Sequence, residues 1–264
     1  MDKLILGRYI PGDSLLHRLD PRSKLLAMFL FLLVIFWANN LVTNLVLIGF
    51  VFGLIGLSSI KFSFFLNGVR PMIGIILFTT FFQLFFTGGG RIYWQFWIFQ
   101  LTEHGVTQAA IIFARFVLII IFSTLLTLTT TPLSLADGIE TGLAPLARFK
   151  VPVHEIGLML SMSLRFVPTL MDDTTRIMNA QRARGVDFGE GNLIQKVKSV
   201  IPILIPLFAS SFKRAYALAT AMEARGYQGG EGRTKYRVLK WTYLDSLAIL
   251  VMLGISAVLF ILKS

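Results

Sequence analysis

A twelve-residue frame that contains an Ala-Arg-Gly triplet occurs twice in the sequence, and it is the pattern that most clearly indicates a function. The copies run over 180–191 and 221–232 and share Ala-x-x-Ala-Arg-Gly-x-x-x-Gly-Glu-Gly. Each copy closes a long helical pattern, and its first glycine suits the left-handed residue that ends many helices. Arg184 and Arg225 are therefore predicted to stand at the tips of two helices.

These two arginines have two interpretations. An arginine in the last turn complements the helix dipole, which is worth about 0.3–1 kcal/mol. That role, however, does not require the alanine, glycine and glutamate that both copies share. A small alanine beside a protruding arginine lets another protein surface come close. The duplicated frame therefore favours a pair of equivalent contacts with a partner that has two sockets.

The sequence contains no clear catalytic or nucleotide-binding pattern. There is no P-loop, since the glycine-rich stretch 229–234 lacks the P-loop lysine and follows a helix. The three histidines lie far apart, and there is no cysteine. The one adjacent acidic pair, Asp172-Asp173, precedes Arg176 by one helix turn and is typical of a salt-bridged helix face. We expect a non-catalytic chain with no metal or cofactor of its own.

Composition and charge indicate a membrane protein. The 264 residues are 55% hydrophobic, and the mean hydropathy is +0.72. Several apolar runs are long enough to cross a bilayer. The net charge is +11, with basic residues concentrated between Arg148 and Lys240. In a membrane protein such clusters mark cytoplasmic segments, so no nucleic-acid partner is predicted.

The predicted fold is an all-α polytopic membrane protein with about five transmembrane helices and a cytoplasmic helical insert. Asp20-Pro21 is a helix start, with aspartate as the N-cap and proline at the first helical position. The apolar block 201–208 is predicted to be too short to span. The predicted spans are 21–39, 41–60, 71–86, 106–130 and 244–262. The predicted regions are 1–20 (cytoplasmic), 21–131 (transmembrane helices 1–4), 132–240 (insert) and 241–264 (the C-terminal transmembrane helix).

The insert is predicted to contain two long helices. An amphipathic stretch over 132–148 comes first, followed by helices over 154–184 and 193–225. The first of these has about 31 residues and a length of about 46 Å, with a kink at Pro168. The distribution of Lys and Arg places the N-terminus in the cytoplasm and the C-terminus outside.

Two features of the predicted membrane region have two interpretations each. Arg115 lies in the fourth span, where a charge is a functional candidate, but it is close enough to the outer end to snorkel, which is favoured. The aromatic loop 91–101 is typical of an anchoring belt at the membrane interface. A docking surface for another membrane protein is its alternative interpretation.

With both Ala-Arg-Gly triplets located, the sequence resembles the transmembrane T component of the energy-coupling factor transporters. These are prokaryotic vitamin and metal importers related to ABC transporters. The resemblance covers nearly the whole chain. Besides the triplets, it rests on the blocks Thr130-Thr131-Pro132-Leu133, Pro152-Val153-His154-Glu155 and Ser163-Leu164-Arg165-Phe166-Val167-Pro168-Thr169-Leu170.

The resemblance implies a scaffold in the prokaryotic cell membrane, without a substrate site of its own. The insert would form coupling helices, and each Ala-Arg-Gly end would enter a groove of one of two ABC-type ATPases, which bind the ATP. A separate membrane subunit, the S component, would bind the vitamin or metal. The implied ATPase contacts are Ala183, Arg184, Gly185, Ala224, Arg225 and Gly226.

The same resemblance places the S component on an apolar face of the coupling helices. Methionine side chains are flexible, so such a face can repack against different partners. The residues predicted to dock the S component are Met159, Met162, Met171, Met178, Ile203, Leu204 and Leu207.

Two other functions compete with this one. An ordinary ABC permease would carry its own translocation path, but the predicted spans hold few polar residues beyond Gln83 and Arg115. A membrane-embedded transferase would need several carboxylates to hold Mg²⁺ and a diphosphate.

Overall fold

The computed structural model describes residues 9–96, 99–186, 188, 192–229 and 238–262. The chain divides into two compact units. The membrane unit comprises the residues up to Gly142 together with those from Leu239, and the insert unit comprises Leu143–Val238.

Helices make up most of the membrane unit. A turn of 3₁₀ helix covers Ile35–Trp37. The elements are α1 (Leu15–Arg18), α2 (Pro21–Val34), α3 (Leu41–Ser58), α4 (Phe62–Val69), α5 (Ile73–Phe86), β1 (Ile92–Phe96), β2 (Phe99–Thr102), α6 (Glu103–Thr129), α7 (Pro132–Leu143) and α10 (Tyr243–Leu262). The all-α polytopic fold class is thereby confirmed. Helix α7, which the sequence assigns to the insert, groups with the membrane unit.

Among the described residues, five helices are long and apolar enough to cross a membrane. Four of them correspond to predicted spans: Leu41–Ser58, Phe62–Phe86, Glu103–Thr129 and Tyr243–Leu262. The fifth is different. The predicted span 21–39 contains an α-helix of only 14 residues and is not among the five candidate spans. The fifth candidate is Val197–Ala224.

By length and composition, Val197–Ala224 is thus a candidate span, although its apolar block 201–208 is predicted to be too short to cross a membrane. The helix stays apolar beyond Lys213 and Arg214, because alanine, leucine and methionine follow these charges. Its mean hydropathy of 1.2 is nevertheless the lowest of the five, the others lying between 1.7 and 2.5.

The core of the membrane unit is formed by one face of each long helix. Leu47, Val51 and Ile55 are buried and four residues apart, so they share one side of α3. Phe31 of α2 stacks on Phe122 of α6, with ring centroids 4.2 Å apart. The opposite helix faces expose leucine, isoleucine and phenylalanine, as expected where lipid is the solvent.

A polar cluster, here called the polar clamp (Asp20, Ser23, Thr242 and Asp245), joins α2 and α10, and all of its members except Thr242 are buried. The Asp245 carboxylate accepts hydrogen bonds from the Asp20 backbone N–H, the Ser23 hydroxyl and both the N–H and the hydroxyl of Thr242, each at 2.7 Å. The Asp20 carboxylate accepts from the Arg22 N–H at 2.8 Å, which confirms the predicted N-cap. Because its groups are mutually satisfied, the clamp fixes the C-terminal helix to the first one.

Replacing Asp245 by alanine is expected to destabilise the membrane unit. The change leaves the buried Asp20 N–H without its acceptor, whereas the Ser23 hydroxyl keeps a hydrogen bond to the Asp20 carbonyl and Thr242 is exposed. An unsatisfied buried group of this kind costs about 1–3 kcal/mol. The melting temperature of the detergent-solubilised chain, followed by size-exclusion chromatography after heating, should fall markedly. Ser246→Ala is the control, because it removes only an exposed hydrogen bond to Trp241. Equal melting of the two variants would contradict this role.

Arg115 reaches the turn between α2 and α3. Its guanidinium donates to the Ala38 carbonyl at 3.2 Å and to Asn39 Oδ1 at 3.3 Å. It also lies 5.4 Å from the ring centroid of Phe36. The sequence assigns this turn to the outer end of the helices, so the arrangement is the one expected of a snorkelling arginine.

The aromatic loop contains two β-strands, which the sequence pattern did not predict. Strands β1 and β2 are antiparallel, with Phe96 opposite Phe99. The ring of Phe99 packs edge-on against Phe85 and Phe86 of α5, at centroid distances of 5.7 and 5.6 Å. Tyr93 and Trp94 are exposed, which suits an interfacial position.

Candidate partner-binding site

Two long helices of the insert unit carry the duplicated motif. Helix α8 covers Val153–Ala183 and α9 covers Leu193–Ala224, within a residue of the predicted bounds. A 3₁₀ segment, Ala144–Phe149, comes before them, where the sequence predicts the end of an amphipathic helix. Helix α8 continues through Pro168, and α9 continues through two prolines.

The prolines of α9 create a bond between the two helices. Pro206 has no N–H, so the carbonyl of Pro202 lacks its usual donor four residues on. Gln181 of α8 donates its side-chain amide to that carbonyl at 3.5 Å. A backbone group that α9 leaves unpaired is thus used to hold α8.

An ion pair forms the second link between the helices. The Asp173 carboxylate of α8 pairs with the Arg214 guanidinium of α9. The expectation that the Asp172-Asp173 pair forms a salt bridge along its own helix is therefore wrong for Asp173. Its partner comes from the neighbouring helix, 41 positions away in the sequence, rather than from Arg176.

These two links show that α8 and α9 run in opposite directions. Moving from Gln181 back to Asp173 along α8 corresponds to moving from Pro202 forward to Arg214 along α9. Arg184 is therefore near the beginning of α9, whereas Arg225 is at its end. Arg225 lies 23 residues beyond Pro202, which corresponds to about 34 Å of helix.

Both helices end in the same cap. In the first, Gly185 N–H donates to the Arg182 carbonyl at 2.9 Å and Val186 N–H donates to Gln181 at 3.0 Å. In the second, Gly226 and Tyr227 make the same bonds, at 2.9 and 3.0 Å, to Glu223 and Met222. This is the Schellman pattern, which places an arginine directly before the left-handed glycine in each copy.

The glycines are required because the backbone has a positive φ at these positions, and not because a side chain would clash with neighbouring atoms. Gly185 has φ +86° and Gly226 has φ +70°, and an added Cβ would meet no atom within 4 Å at either position. Both triplets project from the surface, since all six residues are exposed: Ala183, Arg184, Gly185, Ala224, Arg225 and Gly226. The Gly-Glu-Gly ends of the repeated frame lie outside the described residues.

The two arginines are available to a partner. Neither the Arg184 nor the Arg225 side chain forms a hydrogen bond or ion pair with another residue in the part of the chain that the structure describes. The prediction of two exposed arginines at helix tips is confirmed. Their role as ATPase contacts remains a prediction.

The residues predicted to dock an S component differ in accessibility. Met159, Met171 and Leu204 are exposed to 60%, 49% and 42%. Three more are half-buried, namely Met162, Met178 and Leu207. Ile203 is buried, with only 8% of its surface exposed, and is not accessible to a partner in this structure. Exposed neighbours that extend the face are Ile201, Ile205 and Phe208.

Some contacts of the site are missed by sequence reasoning. The spacing Pro202-x-x-x-Pro206 is a readable signal, because it predicts one unpaired carbonyl in α9. Nothing in the sequence, however, names Gln181 as its donor. Similarly, the charges of Asp173 and Arg214 are visible, but their pairing depends on how the helices pack.

Comparison with known proteins places the chain in a family. Residues 12–236 match the family described as cobalt transport protein CbiQ. A protein of Streptococcus equi subsp. equi (strain 4047) is 73% identical over 264 residues, which cover 100% of this chain and 98% of that protein. One from Streptococcus thermophilus (strain ATCC BAA-250 / LMG 18311) is 67% identical, with complete coverage of both chains. One from Bacillus subtilis (strain 168) is 51% identical, also with complete coverage.

Each of these relatives is named energy-coupling factor transporter transmembrane protein EcfT. The chain therefore belongs to this family of transporter membrane components. The resemblance drawn from the Ala-Arg-Gly triplets is confirmed across the whole chain.

Proposed function

We propose that the chain is the scaffold and coupling subunit of an energy-coupling factor importer. It transmits ATP hydrolysis by two ABC-type ATPases to a substrate-binding S component that takes up a vitamin or another micronutrient. The chain itself is non-catalytic, and its partners bind the ATP. The observation that carries the proposal is the pair of identical caps, each presenting an exposed arginine at the tip of a long helix.

The position of the two tips suits a pair of ATPases. A single groove could not take both arginines, because about 34 Å of helix lies between Arg225 and the Gln181–Pro202 contact next to Arg184. Two equivalent caps match two equivalent sockets. A guanidinium that enters such a socket can form several charge-assisted hydrogen bonds in a fixed fork geometry.

The links between α8 and α9 support a mechanical role. A helix of 31 residues is about 46 Å long. A displacement at its tip therefore also moves residues of the insert unit that lie far from the tip. The Asp173–Arg214 ion pair and the Gln181–Pro202 hydrogen bond tie the helices together between the two tips. In the proposed mechanism, motion of the ATPases moves both helices and the exposed apolar face together.

The S component is proposed to dock on that face. Met159, Met171 and Leu204 are large and exposed, and such apolar surface is normally covered by a partner. The flexibility of methionine would allow one scaffold to serve several S components.

The proposed topology places the N-terminus and the insert in the cytoplasm and the C-terminus outside. It treats α9 as a cytoplasmic helix, despite its apolar composition, because α9 is paired to α8 and carries Lys213 and Arg214 at mid-length. If α9 crossed the membrane instead, the residues after it would change sides.

Single-cysteine labelling distinguishes the two topologies. The chain has no cysteine, so one introduced residue is the only target. A cysteine at Leu262 should react with an impermeant maleimide from outside intact cells. A cysteine at Gln228 should react only after permeabilisation. The reverse pattern would show that α9 spans the membrane.

Copurification tests the proposed function as a whole. The chain, extracted from its own cells in a mild detergent, should bring down two ABC-type ATPase subunits and a separate small membrane protein that binds the transported nutrient. Mass spectrometry identifies the members. An ABC permease would bring down the ATPases without such a subunit, and a membrane transferase would bring down neither.

A further inference from the structure

An apolar cavity lies within the membrane unit, between α1, α2, α3, α6 and α10. Its volume is about 210 Å³, and its wall is formed almost entirely by leucine, phenylalanine, alanine, valine and methionine side chains. Residues from all five helices contribute, among them Leu16, Ala27, Leu54, Phe122 and Ala248. A space of this kind favours an apolar ligand.

The polar end of the cavity is already satisfied. Ser23 and Lys24 line it, but the Ser23 hydroxyl donates to Asp245 at 2.7 Å, and Lys24 Nζ donates to the Thr129 carbonyl and to Thr130 Oγ1 at 3.0 Å. The carboxylates of the polar clamp also balance the charges of Arg22 and Lys24. Lys24 is the one charged residue among the described residues that line the cavity, and its charge is offset by these nearby carboxylates, so an ionic ligand is not favoured.

The rim of the cavity is exposed and apolar. Leu57 of α3 and Leu247 and Val251 of α10 line the cavity, yet about half of each side chain is accessible from outside the unit. Helices α3 and α10 are both long and apolar enough to cross a membrane. Because α3 and α10 can span a membrane, an apolar rim on them is expected to face hydrocarbon rather than water, so an opening towards the bilayer is the expected arrangement.

We propose that this cavity is a binding site for one acyl chain of a bilayer lipid. The chain fills a volume that would otherwise leave the wall residues without contact partners on one side. Its source is a phospholipid or a free fatty acid, because either supplies the same hydrocarbon. The bound chain would act as a structural ligand that packs α2, α3, α6 and α10 together. This site does not depend on the proposed coupling function.

Photolabelling of the full chain in proteoliposomes tests this site. The vesicles contain a trace of phosphatidylcholine that carries a diazirine near the end of one chain, and labelled residues are mapped by mass spectrometry after illumination. We expect the wall residues Leu54 and Phe122 to be labelled several-fold more than Leu253, which is exposed on the outer face of α10. A parallel experiment with a diazirine fatty acid shows which source fills the site.

Matched variants show whether the label depends on the cavity. Ala248→Phe places a ring in the cavity and should reduce labelling of Leu54 and Phe122 several-fold. Ala257→Phe adds the same volume to an exposed position of the same helix, outside the cavity, and should leave labelling unchanged. Ala27→Phe fills the same space from α2, and it replaces Ala248→Phe as the cavity-filling variant if Ala248→Phe does not fold.

Two results would overturn the proposal. One is that, in the wild-type chain, neither probe labels the cavity wall more than the exposed Leu253. This result does not depend on any variant. The other is equal labelling of the wall residues in folded Ala248→Phe and Ala257→Phe proteins.

Discussion

Replacing both Arg184 and Arg225 by glutamate is expected to abolish assembly with the ATPases and all uptake that depends on ATP. Each change removes the proposed hydrogen bonds and puts a negative charge in a socket built for a cation. Truncating one desolvated partner of a charge pair typically costs about 2–5 kcal/mol. Losing two such contacts removes most of the free energy of a micromolar complex, which is about 8 kcal/mol.

The single changes Arg184→Ala and Arg225→Ala should each weaken the complex or its transport-coupled ATPase activity without abolishing assembly. The measurement is the amount of ATPase that copurifies with the tagged chain, together with uptake of the labelled nutrient. The matched control is Arg165→Glu with Arg176→Glu, which makes the same change in net charge at exposed positions along α8, away from the tips. This control should assemble normally.

The helix-dipole interpretation gives a different result for the same variants. If the arginines only offset the dipoles of α8 and α9, the double glutamate variant should melt slightly earlier but still assemble. The expected cost would be about 0.3–1 kcal/mol per helix end. Wild-type assembly and uptake in that variant would decide for this interpretation.

Replacing Met159 and Leu204 by aspartate is expected to release the S component while the ATPases stay bound. Both side chains are exposed on the proposed docking face, and burying a charge in an apolar interface is strongly unfavourable. The tips at Arg184 and Arg225 are unchanged, so the ATPase contacts remain. Quantitative mass spectrometry of the purified complex reports both partners in one experiment.

The control for this variant introduces two aspartates on other faces of the same helices. Asn179 and Thr220 are exposed, and about 3.6 residues per turn places them roughly opposite Met159 and Leu204. Asn179→Asp with Thr220→Asp should retain both partners. Loss of the ATPases with retention of the S component, in the Met159 and Leu204 variant, would mean that the two surfaces are reversed.

The helix ends of the insert were predictable because their signals are local. The caps at Gly185 and Gly226 depend on a few consecutive residues, so sequence alone locates them within one residue. The first helix was predicted less well. Its start at Asp20-Pro21 is encoded locally, but the change from α-helix to 3₁₀ helix at Ile35 has no comparable signal.

The remaining features depend on packing between distant segments. Asp245 meets Ser23 across 222 positions of the sequence, and neither residue has a pattern that names the other. Ile203 illustrates the same limit within an apolar run, since hydrophobicity gives no indication that it is buried while Leu204 and Ile205 are exposed. Composition also gives conflicting signals for α9, because its length and apolar content favour a membrane span whereas Lys213 and Arg214 do not.

The most direct test of the central claim is photocrosslinking from the helix tips in the assembled complex. Ala183 and Ala224 adjoin the arginines and are exposed, and the absence of native cysteine allows each to be replaced by cysteine and labelled with a photoreactive maleimide. The account predicts that each position crosslinks to an ATPase subunit, and that the doubly labelled chain captures both ATPases at once. Crosslinks from both tips to lipid or to the S component alone, in complexes that contain the ATPases, would contradict it.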